Sequence, residues 1–65
     1  MKKSKLQLAD GTVVPVEITE LPRGGRFRWA AEEKYLTEIA WTLNSLGLHA
    51  MVDRDANGKY VNVRY

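Results

Sequence analysis

From residue 6 to residue 18 the apolar side chains fall on alternate positions, Leu6 and Leu8 before Ala9-Asp10-Gly11, then Val14, Val16 and Ile18 after it. A period of two marks a strand with one buried face, and the polar break between the runs marks a hairpin. Two turns fit. A two-residue Asp10-Gly11 turn pairs Leu8 with Val13 and sends Val14, Val16 and Ile18 to the face opposite Leu6 and Leu8. A three-residue loop with Gly11 left-handed pairs Leu8 with Thr12 and Leu6 with Val14, which gathers all five on one face. Because a slip of one residue turns a strand over, burial selects the three-residue loop.

Leu21-Pro22-Arg23-Gly24-Gly25 then breaks the chain. Beyond it Arg26-Phe27-Arg28-Trp29 alternates basic and aromatic residues. Folded back as a third strand across a loop at 21–24, it pairs Ile18 with Phe27 and Val16 with Trp29. Glu17 then lies opposite Arg28 on the outer face, and Pro15 falls near the end of the pairing, where a missing N–H does least harm. The alternative leaves residues 23–28 an irregular loop.

The pattern next changes period. Tyr35, Leu36, Ile39, Ala40, Leu43 and Leu46 share one stripe of a helical wheel, and Gly47 stands where a left-handed cap would end the helix. No Ser, Thr, Asp or Asn marks a start near residues 30–32, although Glu32 and Glu33 suit the helix dipole. Residues 48–65 read as a second hairpin turning at Asp55-Ala56-Asn57-Gly58, with Leu48, Ala50, Val52, Val61, Val63 and Tyr65 inward. These elements predict a small α+β domain, βββαββ, with the single helix packed on one face of an antiparallel sheet. Residues 1–65 form one domain in this reading, with 1–4 a flexible basic arm. The outer sheet face displays Lys5, Gln7, Val13, Glu17, Arg26, Arg28, His49, Met51, Tyr60, Asn62 and Arg64. Where the last hairpin joins the sheet is left open.

Composition narrows the function classes. With 45% hydrophobic and 28% charged residues the chain is globular and not disordered. The absence of cysteine excludes disulfides, thiolate zinc sites and a cysteine nucleophile, and a single histidine, His49, builds no histidine-rich metal site. No apolar run reaches the roughly 20 residues of a membrane helix, and the basic start lacks a signal-peptide core, so a soluble cytoplasmic protein is expected. The net charge of +2 is unevenly spread: residues 1–28 carry +3, residues 29–47 carry −2, and residues 48–65 carry +1. Two faces of opposite sign follow.

Candidate chemistry is sparse. Asp53-Arg54-Asp55-Ala56-Asn57-Gly58 imitates the opening of a calcium-binding loop, but its twelfth position is Arg64 where a bidentate acid is needed, so it reads as a polar turn. His49 and Asp53 share a strand face but stand four residues, roughly 13 Å, apart, too far for an orienting hydrogen bond. Gly24-Gly25 lacks the rest of a phosphate-binding loop and reads as a turn. No enzyme activity, cofactor or metal is therefore expected.

Two binding readings survive. Arg23, Arg26 and Arg28, with Lys5 and Arg64 beside them and Lys2 and Lys3 as an arm, form a basic surface suited to nucleic-acid phosphates; Phe27 and Trp29 between them turn to the core. The order of three strands and a helix loosely resembles small sheet-reading DNA-binding domains, a likeness of topology that carries no residues across. Alternatively Trp41, on the polar side of the helix beside Glu38 and Lys34, anchors a protein partner, including a second copy in a homodimer.

Overall fold

The alternating residues of the first hairpin fold as burial demands. In a computed structural model, which describes residues 2–22 and 24–65, Leu6 faces Val14 and the Leu8 N–H donates to the Thr12 carbonyl at 2.8 Å. Gly11 takes a φ of +90°, open to it without strain. Asp10 closes the turn by accepting the Thr12 N–H at 2.9 Å, and these hydrogen bonds hold its carboxyl below the usual carboxylate range. What that bond adds to stability is therefore present above the unfolded carboxyl's range and fades as pH falls through the lowered one.

The strands are β1 (Lys2–Gln7), β2 (Val13–Glu20), β3 (Phe27–Ala30), β4 (Met51–Arg54) and β5 (Tyr60–Arg64), with helix α1 (Glu33–Ser45) between β3 and β4. They form one antiparallel sheet in the order β1-β2-β3-β5-β4. The expected α+β architecture with a single helix on an antiparallel sheet is the one observed. The second hairpin joins through β5, which lies between β3 and the edge strand β4.

Four details differ from the sequence reading, one of them in the second hairpin, where a bulge at Asp53–Arg54 turns Val61 outward, 42% exposed, and packs Tyr60 against the core, the reverse of the expected order. Lys2, Lys3 and Ser4, expected as an arm, pair with Ile18, Glu17 and Val16, so the ladder runs to the start of β1. The third strand exists, but its register is shifted by two residues. Ile18 opposes Trp29, Glu20 opposes Phe27, and Glu17 opposes Ala30 and not Arg28. The loop is correspondingly longer, closed by the Leu21 N–H on the Arg26 carbonyl at 3.0 Å, with Gly24 and Gly25 both at positive φ. Finally, Leu46 is 69% exposed: it is the C-cap, beyond the buried stripe. Pro15 sits past the reach of β3. Since the Leu8–Thr12 pair is hydrogen-bonded, alternation turns the Pro15 nitrogen away from β1, where no ladder bond is lost.

The helix begins at Glu32, an N-cap without a side-chain bond, and ends in a Schellman motif. There the Leu48 N–H reaches the Leu43 carbonyl at 3.2 Å and the Gly47 N–H reaches that of Asn44 at 3.0 Å, with Gly47 at φ +90°. Asn44 then ties the chain leading to β4: it accepts from the Ala50 N–H at 2.7 Å and donates to the Ala50 carbonyl at 3.2 Å. Leu36, Ile39, Ala40 and Leu43 of α1 meet Leu8, Val14, Val16, Ala50 and Val63 in the core. Phe27, Trp29 and Tyr65 extend this face as an aromatic group, with Tyr65 centred 5.6 Å from Phe27 and 6.0 Å from Trp29. The Trp29 indole nitrogen is enclosed there without a partner, the one such side-chain atom among the described residues. Both aromatics of the Arg-Phe-Arg-Trp segment thus turn inward as expected.

Two leucines three residues apart test this boundary. Leu43→Ala should cost about 2 to 5 kcal/mol in urea unfolding, or prevent folding, because it opens a cavity in a dense core. Leu46→Ala should stay within about 0.5 kcal/mol of the parent. Equal costs would mean that the apolar stripe runs one turn further than observed.

Candidate nucleic-acid interface

The sheet's outer face is built by residues that alternate with the core. One row across it reads Thr19, Arg28, Arg64 and Met51 on β2, β3, β5 and β4. Phe27 and Tyr65 exchange both backbone hydrogen bonds, at 3.1 and 3.2 Å. Arg28 and Arg64 are therefore a non-hydrogen-bonded pair, the closer of the two antiparallel arrangements, with α-carbons about 4.5 Å apart. Like charges directly opposite destabilise a sheet, and here two guanidiniums take that position.

One neighbour offsets part of the cost. Arg64 Nε donates to Asp53 Oδ1 at 2.9 Å and lies 2.8 Å from Oδ2, while Asn62 Nδ2 donates to that Oδ2 at 2.6 Å. Asp53 faces Asn62 across β4 and β5, so the three side chains form one network along the outer face. It fixes Arg64 by the inner edge of its guanidinium. Beyond the row, Gly25, Arg26, His49, Met51, Arg64 and Tyr65 line an open concavity of about 380 Å³. Met51 is 64% exposed at its wall.

The basic residues expected from the sequence divide into two groups. Arg26, Arg28 and Arg64 come together at this end of the sheet. Lys5 does not join them. It pairs with Pro15, four residues from the Thr19 that opposes Arg28, which puts it roughly 13 Å along and 10 Å across the sheet. Lys3 stands opposite Glu17 on the same far edge. Arg23 lies outside the described residues. His49 and Met51 were legible as outer-face residues by alternation, but their convergence with Arg26 depends on the β3–β5 pairing, which no local pattern reveals. Asp53 and Asn62 share the face of Arg64 by alternation, but their closure on it depends on the β4–β5 register, which a bulge after Asp53 sets.

The remaining candidates resolve by geometry. In the loop resembling a calcium site, Asp55 Oδ1 accepts from the backbone N–H groups of Asn57 and Lys59 at 2.8 and 3.0 Å, and Asp53 is committed to Arg64. This is a hairpin turn. Arg54 lies over the Tyr60 ring and donates to its hydroxyl at 3.1 Å. Trp41 is 67% exposed on the outward side of α1, one turn from the exposed Glu38. Lys34, two turns away, sits 3.6 Å from Glu32 and 5.1 Å from the Tyr35 ring centre, so it does not group with Trp41. Among the described residues no helix is long and apolar enough to cross a membrane. No protein-family model, curated protein or solved structure matches the chain.

The Asp53 network has a measurable consequence. Asp53→Ala should lower stability by about 1 kcal/mol or less, a surface-pair magnitude, with a smaller loss at about 1 M salt. Adding Arg28→Ala should restore part of that loss, since it removes the repulsion that Asp53 had offset. Additive effects in urea unfolding would show that Arg28 and Arg64 do not couple.

Proposed function

We propose that this chain is a small, non-enzymatic nucleic-acid-binding module that grips phosphates with Arg26, Arg28 and Arg64 at one end of its outer sheet face. The observation that carries the reading is the Arg28–Arg64 pair, two like charges opposite each other on β3 and β5, with Arg64 and Arg26 lining the concavity beside it. Such a pair costs stability unless an anion bridges it, and guanidinium groups match phosphate oxygens in bidentate fashion. Binding is favoured over catalysis because Asp53, the carboxylate on His49's strand face, is taken up by Arg64 and Asn62. Phe27 and Trp29 pack inward, so affinity comes from phosphate contact and is largely independent of sequence. Lys5, distant from the cluster, adds little to it.

Fluorescence anisotropy with labelled oligonucleotides tests the reading. About three phosphate contacts, each contributing about 0.9 to the salt slope, predict a loss of about 40-fold in affinity between about 50 and 200 mM salt. Replacing Arg26 and Arg28 together with alanine should weaken binding to all sequences alike and lower that slope by about 1.8. Asp53→Asn, which keeps an acceptor for Arg64 but removes a charge, should tighten binding. An absence of binding at low salt, or a double variant with unchanged affinity, would overturn the proposal.

A second reading rests on Trp41. An indole 67% exposed, with Leu46 69% exposed near the same helix end, is the kind of anchor that protein interfaces bury. This surface lies on the helix layer, away from the arginines, and its partner would be another protein or a second copy of the chain. Trp41→Ala should then leave the fold and oligonucleotide binding intact. In sedimentation velocity at rising concentration it should abolish any self-association that the parent shows.

A further inference from the structure

We infer that the concavity beside Arg64 seats one unpaired nucleotide, with its phosphate on Arg26 and Arg64 and its base against the Met51 thioether, so that the protein prefers single-stranded or overhanging nucleic acid to blunt duplex. The inference rests on the nucleic-acid reading above and names the ligand of that same site.

Three observations support it. The first is size. A space of about 380 Å³ falls at the low end of small-ligand sites, roughly 300 to 1,000 Å³, and takes a single nucleotide unit, whereas a duplex presents a major groove about 12 Å wide and a continuous backbone. A duplex can lie along Arg26, Arg28 and Arg64 without entering the concavity. The second is Met51. A surface that reads only phosphates has no use for an exposed apolar side chain, yet Met51 stands directly across from Arg64 in the same row and is 64% exposed. Its polarisable sulfur favours the face or edge of an aromatic ring, and every base offers one. The third is the arrangement of polar groups. His49, two residues from Met51 on the same strand face, lines the concavity with Arg26, and Asp53 holds Arg64 in place by its Nε. A charged wall of Arg26 and Arg64 therefore adjoins an apolar one at Met51 in the same concavity.

The inward aromatics limit how many bases are read. Tyr65 lines the concavity but packs its ring with Phe27 and Trp29, so no row of rings is offered to successive bases, and one base is engaged. The preference is correspondingly modest, about threefold to tenfold, within the range that a single sulfur–aromatic contact supplies.

The test compares three labelled probes of equal length by fluorescence anisotropy at low salt: an oligothymidylate single strand, a blunt duplex, and a duplex carrying one unpaired 3′ or 5′ nucleotide. The parent protein should bind the single strand and the overhang about threefold to tenfold tighter than the blunt duplex. Met51→Ala, checked for folding by circular dichroism, should bring that ratio close to one. Met51→Leu, which keeps apolar area without the sulfur, should fall between. Equal affinity for the three probes in the parent, or a ratio untouched by Met51→Ala, would overturn this inference while leaving phosphate binding by the arginines in place. Failure of every probe to bind would remove both.

Discussion

Backbone hydrogen bonds between Phe27 and Tyr65, continued by the Arg28–Arg64 and Trp29–Val63 ladder, join the halves of this sheet. On one side lie β1, β2 and β3, connected by local hairpins; on the other lie β4 and β5, reached only after the helix. The pairing is short, with Arg28 against Arg64 and Trp29 against Val63 as its ladder, yet three things depend on it. It places Val63 beneath the helix, where it is fully buried. It closes the aromatic group on the inner face, and it brings arginines from distant parts of the chain into one row on the outer face. Helix α1 supports this pairing through β5, because Leu36, Ile39 and Leu43 share the buried cluster with Val63. A chain of 65 residues has little core to spare, so fold and surface chemistry share the same few contacts.

The charge distribution follows from the layers. Sheet residues that do not face the helix face water, and near the β3–β5 junction those are Arg28 and Arg64; the acidic Glu33 and Glu38 ride on the helix layer. Glu33 is drawn to Lys59 of the β4–β5 turn at 3.9 Å, an exposed contact that adds little energy but keeps acidic charge on the helix side. The two candidate surfaces, arginine row and Trp41, therefore belong to different layers. A change at one leaves the other's geometry untouched, so the two readings can be separated by mutation.

How much of this was legible in the sequence depends on which register errors burial can detect. In the first hairpin a one-residue slip would have exposed Val14, Val16 and Ile18, and the apolar pattern alone rejected it. Between β2 and β3 the true register differs from the expected one by two residues. A shift of two keeps Phe27 and Trp29 on the inner face, so the pattern had no means of choosing. What settled it was the loop, whose two left-handed glycines allow a longer turn than the shortest one available. The same limit separated Glu17 from Arg28. The β3–β5 pairing lay further out of reach, because it joins segments more than thirty residues apart with no turn between them to set the register. Arg26, Arg28 and Arg64 were identified as basic surface residues, but their meeting with His49 and Met51 is a product of that pairing. Lys5 shares their sign and, by alternation, their sheet face, but the strand order puts it on the far edge.

Arg64 is where fold and candidate site meet, and Asp53 decides what kind of site it can be. The carboxylate removes a charge from the cluster, which weakens attraction for any anion by about 1 kcal/mol in a solvent-exposed setting. It also holds a side chain that would otherwise lose rotamer freedom on binding, a saving of about 0.5 to 1.5 kcal/mol. The two effects nearly cancel in affinity, but they do not cancel in selectivity. An unpaired Arg64 would attract any polyanion from any direction. An Arg64 fixed through its Nε presents its guanidinium in one orientation, beside Arg26 and across from Met51. Charge alone has no need of that orientation. A ligand with a phosphate at one end and an apolar ring at the other does, and this is why the pairing of Asp53 with Arg64 argues for recognition of a shaped unit over general attraction to negative charge.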